Sequence, residues 1–477
     1  MSNPLAGPTI ATPGTWSSPI GLADVVAGGA SMTALSSDGP DLLWLESIPD
    51  QDGRITVMRL RPGQATGDEP TELTPAPASV RSRVNEYGGG AYSCAAGVLV
   101  YCDDSDATVK LRHDDGTVQA LTSGDALLRY GDLRVHPDLG LVLAIREDHR
   151  EPGEAQTTIV AIEFPATDGL PGREHVLCSG ASFYASPELS PDGQFAFVEW
   201  NHPAMPWDSS LLKVGRLQLE DGPAPTDIQT IAGIEHAGLD GVAVQHPRWA
   251  SDGSLVFTSD ASGHHLLCAW SNGQTRRLHS DSADFDLPKW VLGNHAHAEL
   301  DTDRILTWSL TEGQGQLAIV STTGEPTKRL AGVSMVDSLC ACQGQGYAIV
   351  DRPAHPRALV RVPDGGKLHV VRRLGAEPEH EYVSVARSLL FDGRHGPVQA
   401  WYYPPTNPEF KSPPAVRPPL LVRVHGGPTA IATNGYDPEG DAVVHREQLD
   451  QRVHRSSVPR VVSPQHPCPH RGAARSR

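Results

Sequence analysis

The sequence predicts a mainly β fold built around a seven-bladed β-propeller, and three observations support this prediction. A turn signal containing Asp or Gly recurs along the chain, and an apolar strand follows it each time. The signal returns at intervals of roughly 40–60 residues, the length of a four-stranded propeller blade. The intervals hold further β-rich runs, such as Thr157–Ile162, and little with the 3.6-residue period of a helix.

Within each turn signal, Asp and Gly have separate physical roles. The Asp side chain bonds the backbone two residues on, and Gly takes the positive φ that a tight hairpin needs. Such pairs also occur in the loops of other all-β proteins, but seven copies in register with apolar strands favour the propeller. The seven predicted strands are Leu42–Leu45, Val98–Tyr101, Leu141–Ile145, Phe195–Val198, Leu255–Phe257, Ile305–Trp308 and Tyr347–Val350.

The sequence pattern changes after residue 380. Phe391–Gly396 predicts a hairpin turn that leads into the apolar run Val398–Tyr403. A proline-rich connector follows, which has too few N–H donors for a central strand. The run Leu420–Val424 is then predicted to form a short strand that ends at the loop His425-Gly426-Gly427-Pro428.

Residues 440–477 differ from the rest of the chain in composition. They contain seven Arg and no Lys, and they contain no Phe, Trp or Tyr. No apolar periodicity is present that a packed element would require. We therefore expect this tail to be unstructured and to result from translation out of frame beyond about residue 438.

Charge and cysteine content exclude several classes of protein. With 39 Lys and Arg against 57 Asp and Glu, the net charge is −18, the wrong sign for binding nucleic acid or an anionic membrane. No apolar window is long enough to span a bilayer, and Met1–Leu5 lacks the features of a signal peptide. Seven scattered cysteines without a C-x-x-C pair favour reduced thiols in the cytoplasm. We expect no cofactor, and the oligomeric state stays open.

Several longer strings resemble the prolyl oligopeptidase family of serine peptidases, in its acylaminoacyl-peptidase and dipeptidyl-aminopeptidase branch. The resemblance spans roughly residues 20–438, and its specific strings are Glu86-Tyr87-Gly88-Gly89-Gly90 and His202-Pro203-Ala204-Met205-Pro206-Trp207-Asp208. The supporting strings are Arg83–Asn85, Ser186–Gly193, Thr258–Asp260, Leu287–Gly293 and His425–Thr429.

The resemblance implies a seven-bladed propeller in front of an α/β-hydrolase domain with a Ser-Asp-His triad. The expected boundaries are an N-terminal segment 1–30, the propeller 31–383, an incomplete hydrolase domain 384–439 and the tail 440–477. Because glycines let a backbone N–H approach a developing oxyanion, the loop after Leu420–Val424 suits an oxyanion hole. By resemblance Gly427 supplies that N–H, and His425 and Gly426 shape the loop.

The catalytic residues themselves are absent from the sequence. The nucleophile of such a domain lies in a G-x-S-x-G elbow, and no such pentapeptide occurs in the 477 residues. We therefore expect a truncated family member in which no triad residue can be assigned. The family reaction is hydrolysis of short or acylated peptides, and this chain is predicted to be inactive. The alternative is a non-catalytic propeller that binds peptides or serves as an interaction module.

Three further candidates come from side-chain type and spacing. Glu86, beside three glycines, is a possible contact for the free α-amino group of a substrate, although a structural acid in a tight turn is the simpler interpretation. His295, His297 and Glu299 alternate and would share one face of a strand, but polar residues on such a face are ordinary, so no metal site is assigned. Met205 and Trp207 are expected to pack within a blade.

Overall fold

The computed structural model describes residues 7–17, 30–63, 69–166, 169–235, 241–279, 283–286, 291–311, 313–394, 396–426 and 430–436. Within these ranges the regular elements are β-strands and three short 3-10 helices, η1 (Pro49–Gln51), η2 (Pro137–Leu139) and η3 (His380–Tyr382). Seven sheets of four antiparallel strands follow one another along the chain. The predicted seven-bladed propeller is confirmed.

Strand β1 (Thr9–Ile10) precedes the ring, and each blade then takes four consecutive strands. Blades 1 to 4 consist of β2 (Met32–Asp38), β3 (Asp41–Ile48), β4 (Arg54–Leu60), β5 (Thr71–Glu72); β6 (Tyr92–Ala95), β7 (Val98–Asp103), β8 (Thr108–Arg112), β9 (Val118–Ala120); β10 (Leu128–His136), β11 (Leu141–Asp148), β12 (Gln156–Glu163), β13 (Glu174–Cys178); and β14 (Phe183–Leu189), β15 (Gln194–Trp200), β16 (Leu211–Gln218), β17 (Ala224–Ala232). Blades 5 to 7 consist of β18 (Val244–Trp249), β19 (Leu255–Ser259), β20 (Leu266–Ser271), β21 (Gln274–Arg277); β22 (His297–Asp301), β23 (Arg304–Thr311), β24 (Gln314–Ser321), β25 (Lys328–Val333); and β26 (Met335–Cys342), β27 (Gln345–Arg352), β28 (His355–Val362), β29 (His369–Arg373).

Each of the seven apolar runs predicted from the sequence lies in the second strand of a blade. The turn signals connect the first strand to the second, and Gly39, Gly193 and Gly253 there have φ of +54°, +84° and +81°. The seventh turn lies slightly earlier than predicted, because Gln343 and Gly344 take the positive φ and Gly346 is already inside β27. The second strand is the easiest to predict because it is buried and follows a tight turn.

The core of the ring is divided into seven apolar layers, one between each pair of neighbouring blades. The layer between blades 1 and 2, for example, packs Leu43 and Val57 against Leu99. A blade is therefore stabilised mainly by its neighbours, since its own four strands cover neither of its faces.

The ring closes through side chains, because each blade is one continuous stretch of sequence. Met32 and Trp44 of blade 1 pack against Ile349 of blade 7. The Leu35 N–H donates to Ser338 Oγ at 2.9 Å, and Arg372 binds Glu46 at 2.7 Å. Blade 1 and blade 7 thus meet along a seam that no β-strand crosses.

After blade 7 the described chain holds a β-hairpin and irregular backbone of the expected second domain. The predicted hairpin is confirmed as β30 (Arg387–Gly393) paired with β31 (Gly396–Tyr402). A two-residue strand, β32 (Phe410–Lys411), pairs in parallel with β1.

The predicted strand Leu420–Val424 is wrong, since these residues have no strand pairing. Leu420 and Val424 are 65% and 57% exposed. A strand forms only where its N–H and C=O groups find partners, and none of the described strands lies beside this run. The tail predicted at 440–477 lies outside the described residues. Among those described, no helix is long and apolar enough to cross a membrane.

Candidate functional site

Strand direction distinguishes the two faces of the ring. Since strands alternate in direction, the first strand of each blade starts on the same face on which its second and fourth strands end. The chain enters the ring at Met32 and leaves it after Arg373 on this face, which we call the proximal face. Residues 430–436 lie against it, because the Tyr436 N–H donates to the carbonyl of Arg352 at 2.8 Å and Ile431 packs on the layer between blades 6 and 7.

A cavity of about 280 Å³ opens on the proximal face, and we call it the proximal pocket. Blades 3, 4 and 5 supply most of its wall, and the loops before blades 2 and 6 supply the rest. Apolar side chains dominate the lining, as is usual for pockets that bind small molecules. Those used below are Tyr87, Phe183, Trp200, Met205, Trp207 and Leu292.

Met205 and Trp207 were predicted to pack within a blade, but both line the proximal pocket. They belong to the loop after β15, which the His202–Asp208 string occupies. Met205 is 36% exposed, and the ring of Phe183 stacks on that of Trp200 with centroids 5.2 Å apart. A flat aromatic surface beside a flexible thioether suits an apolar side chain of a ligand.

β-Bulges in the innermost strands shape the floor of the pocket. The pairing of β10 with β11 and of β14 with β15 shifts register at Gly131/Arg134 and Ala185/Glu188. At these bulges Asp132 and Ser186 adopt φ of +49° and +52°. The Ser186 N–H then donates to Asp132 Oδ2 at 2.7 Å and joins blade 4 to blade 3.

Three glycines hold the loop that forms the pocket's edge beside blade 2. Gly88, Gly89 and Gly90 all have positive φ. A Cβ on Gly89 would lie 2.1 Å from the carbonyl oxygen of Leu292, and one on Gly90 would lie 2.4 Å from the Cα of Asp132. The Leu292 N–H donates to the carbonyl of Gly88 at 2.9 Å. The loop before blade 2 therefore reaches across the mouth of the ring to the loop before blade 6.

This bridge separates the proximal pocket from a second cavity of about 350 Å³ in the central channel. First strands from all seven blades line the channel cavity, and Gly293 and Asn294 line both cavities. The glycine string of the sequence is thus explained by close backbone contacts at the channel mouth.

Two carboxylates line the proximal pocket, Asp132 and Glu147. Asp132 pairs with Arg134 at 2.9 Å, so Glu147 is the better candidate for contact with a cation. Its side chain is 7% exposed, and Oε1 accepts the Asn85 N–H at 3.0 Å. His149 Nε2 lies 3.2 Å from Oε2, and the nearest arginine nitrogen, Arg129 Nη1, is 4.0 Å from that oxygen. A nearly buried carboxylate in an apolar pocket is a strong site for a cation.

Glu86, the predicted contact for a substrate amine, points elsewhere in this structure. Its side chain is 77% exposed, and it is not among the residues that line the pocket. Arg129 Nη1 donates to Glu86 Oε1 at 2.5 Å, and this hydrogen bond and charge lower the pKa of the Glu86 carboxyl. Its role toward a substrate stays a prediction.

His246 anchors the side of the pocket formed by blade 5. Its Nδ1 lies 2.9 Å from the carbonyl oxygen of Asn294, and its Nε2 lies 3.0 Å from Asp286 Oδ2. Both ring nitrogens therefore face oxygen atoms of the protein. Thr258 Oγ1 also donates to Asp286, at 2.9 Å. This buried network fixes the loop 291–294 that closes the pocket.

The structure does not bring the predicted oxyanion loop to the pocket. His425 and Gly426 lie in irregular, largely exposed backbone, and His425 Nδ1 is 3.2 Å from the carbonyl oxygen of Gly426. Gly427 lies outside the described residues, so the loop's role stays a prediction.

His295, His297 and Glu299 do share one side of blade 6, where they line the channel cavity. His297 Nε2 donates to the carbonyl of His246 at 2.9 Å, while Glu299 accepts the N–H and hydroxyl of Ser251. His297 and Glu299 are thus directed to separate protein partners, whereas His295 Nδ1 is buried without a hydrogen-bond partner among the described residues. The interpretation of the three residues as ordinary polar side chains stays a prediction.

Sequence reasoning missed Glu147 and the aromatic wall. Glu147 lies one residue before the end of an ordinary strand and has no motif around it, and its partner Asn85 is 62 positions away. The specific string that includes Trp207 marked the loop, but nothing local showed which cavity the loop would line.

Comparison with solved structures gives close matches. A puromycin-hydrolyzing peptidase of Mycobacterium tuberculosis is 31% identical with a TM-score of 0.81, and the match covers 92% of this chain and 67% of that one. A puromycin hydrolase is 26% identical with a TM-score of 0.81, covering 92% and 68% of the two chains. An acylaminoacyl peptidase of Pyrococcus horikoshii shares the fold, with 10% identity, a TM-score of 0.58 and coverage of 88% and 64%. Models of known families and the curated proteins gave no match.

Proposed function

The chain belongs to the prolyl oligopeptidase family of serine peptidases, and from this premise we propose that its propeller binds the N-terminal residue of short peptides in the proximal pocket. The free α-amino group is placed against Glu147, and an apolar side chain is placed against Phe183, Trp200 and Trp207. The observation that supports this most is the nearly buried carboxylate of Glu147, which has no close arginine, beside an aromatic wall in the same cavity.

The charges around Glu147 favour a cationic ligand. Arg129 lies 2.5 Å from Glu86 but 4.0 Å from Glu147, so Glu86 draws the guanidinium away from the pocket. An α-ammonium group that approaches Glu147 therefore meets a carboxylate that is not closely paired with an arginine. In this proposal Glu86 acts indirectly, and Glu147 takes the role that the sequence suggested for Glu86.

The second part of the proposal is that these 477 residues do not cleave the bound peptide. They contain no G-x-S-x-G sequence, and a serine without an elbow, base and oxyanion hole is a poor nucleophile. The alternative function, a propeller that binds peptides as an interaction module, uses the same pocket. Hydrolysis by the purified chain would exclude that alternative. The expected propeller boundaries, 31–383, and the cytoplasmic location belong to the proposal as well.

The experiment is a titration of the purified chain with puromycin, an amide of an aromatic amino acid with a free amine, followed by tryptophan fluorescence. Trp200 and Trp207 line the pocket, so binding should change their emission. We expect Glu147→Gln to weaken binding at least about tenfold, because a charge-assisted contact is lost. The unchanged protein should bind N-acetylated puromycin with a similarly reduced affinity, because acetylation removes the charge of the amine.

Glu163→Gln is the matched control, since Glu163 pairs with His175 at 2.9 Å outside the pocket and should leave the affinity unchanged. Equal binding by the Glu147→Gln protein would contradict the assignment of the amine. A fluorophosphonate probe tests the second part, and stoichiometric labelling of one serine would show that the chain is a competent hydrolase.

A further inference from the structure

Three side chains of the types that bind metal ions lie close together where the chain leaves the propeller. His355 opens β28, Glu377 lies four residues after the end of β29, and His380 opens η3. In sequence they are separated by 22 and 3 positions, so no local motif joins them. They link the last blade to the segment 374–382, which we call the exit segment.

Each of the three residues places one ligand atom within 4.8 Å of the other two. His355 Nδ1 and Glu377 Oε1 are hydrogen-bonded. The rings of His355 and His380 lie edge to face, with centroids 5.0 Å apart. Ligand atoms around a tetrahedral Zn²⁺ are about 3.3 Å apart for metal–ligand bonds of about 2.0–2.1 Å. Small rotations of these partly exposed side chains would bring them to that spacing.

The donor set is one that Zn²⁺ prefers. Two neutral imidazoles and one carboxylate are the protein ligands of several zinc centres, with water in the fourth position. The two oxygens of Glu377 have different partners, since Oε1 faces His355 while Oε2 accepts a hydrogen bond from Arg373 Nη1 at 2.5 Å. An outer partner of this kind orients a ligating carboxylate.

We propose that His355, Glu377 and His380 bind Zn²⁺, and that the bound ion fastens the exit segment to blade 7. The ion replaces the hydrogen bond between His355 and Glu377 and adds His380 to the same centre. Arg373 and Arg352, the nearby cations, oppose a dication and limit the affinity. None of the three residues lines the proximal pocket.

The test is a titration of the full chain with ZnCl₂ by calorimetry at pH 7.5, and with CoCl₂ by visible absorption, which reports a tetrahedral nitrogen and oxygen site. We expect the unchanged protein to bind one Zn²⁺ per chain at this site. In the His355→Ala/His380→Ala protein, the affinity for this Zn²⁺ should be at least about tenfold lower. His369→Ala is the control for exposed histidines, since His369 is exposed on β29. The His466→Ala/His470→Ala protein is the control for Zn²⁺ binding by histidines of the tail. Both control proteins should bind Zn²⁺ at the proposed site as the unchanged protein does.

A second measurement tests the fastening. Zn²⁺ should slow amide hydrogen exchange in the exit segment of the unchanged protein and of both controls, and EDTA should reverse the effect. Equal Zn²⁺ binding by the His355→Ala/His380→Ala protein would overturn the site. Binding at the site without slower exchange would overturn the fastening. Thermal unfolding without metal shows whether the double variant is folded, and His380→Gln alone gives a milder substitution at the most exposed ligand.

Discussion

His136, His295 and His297 are largely buried inside the ring, where burial opposes the uptake of a proton. Desolvation lowers the pKa of His297 to about 3 and also lowers the pKa values of His136 and His295. Positive charge from Arg248 and the neighbouring histidines acts in the same direction at His295 and His297. In the folded protein His297 is therefore neutral at any pH near 7, with Nε2 as the donor to His246.

This burial makes the protein sensitive to acid. In the unfolded chain a histidine titrates near pH 6.5, so below that pH the unfolded state binds a proton that folded His297 does not bind until about pH 3. Stability falls as pH falls through this window, by about 1.4 kcal/mol per pH unit from His297. We expect His297→Gln to reduce the slope of unfolding free energy between pH 6 and pH 4. Urea unfolding at several pH values measures this slope. His369→Gln is the control, because His369 is exposed, and it should leave the slope unchanged.

Among the structural elements, the glycine loop at the channel mouth tolerates little change. A methyl group on Gly89 would meet both the backbone N and the carbonyl oxygen of Leu292 within 2.5 Å, at a φ of +109°. By contrast, Gly39 in the turn of blade 1 has a smaller positive φ of +54°, and a Cβ there would lie in open space.

We therefore expect Gly89→Ala to cost about 3 kcal/mol or more, because backbone strain adds to steric overlap. Gly39→Ala should cost only about 1 kcal/mol, from strain alone. Chemical unfolding of the two variants measures the difference. Equal losses would mean that the loop can move away from Leu292, in which case the pocket wall is not fixed by these glycines.

The same elements show what sequence can and cannot predict here. Second strands such as Leu141–Asp148 were predictable, because they are buried and follow a marked turn. Fourth strands such as Val118–Ala120 and Gln274–Arg277 are short and largely exposed, so they leave no apolar pattern. The pocket combines residues from blades 3, 4 and 5 with two loops, and only the closed ring brings these together. Leu420–Val424 has the composition of a buried strand, but composition alone does not supply pairing partners.

For the whole molecule, apolar exposure is concentrated after the ring. Of the 22 large hydrophobic side chains found exposed among the described residues, nine lie between Val385 and Val424. Leu390 is 73% exposed and Leu420 is 65% exposed. Many exposed apolar side chains in one segment of the chain favour association.

A shortened chain that ends at residue 383 should therefore stay monomeric at concentrations where the full chain associates. The propeller should remain intact in it, because each blade packs mainly on its neighbours. Light scattering coupled to size exclusion compares the two chains at matched concentration. If both are equally monomeric, the apolar side chains after residue 384 are covered in solution.

The pairing of β1 with β32 has a consequence for the chain as a polymer. The Thr9 N–H donates to the carbonyl of Glu409, the Ala11 N–H donates to the carbonyl of Lys411, and Trp16 stacks on Phe410. These contacts close a loop of about 400 residues, and the entropy of closing a loop grows only slowly with its length. Once the two flanking segments are paired, blade 1 and blade 7 are held at a high effective concentration. The seam can then re-form as an intramolecular event each time it opens, although no strand is shared across it.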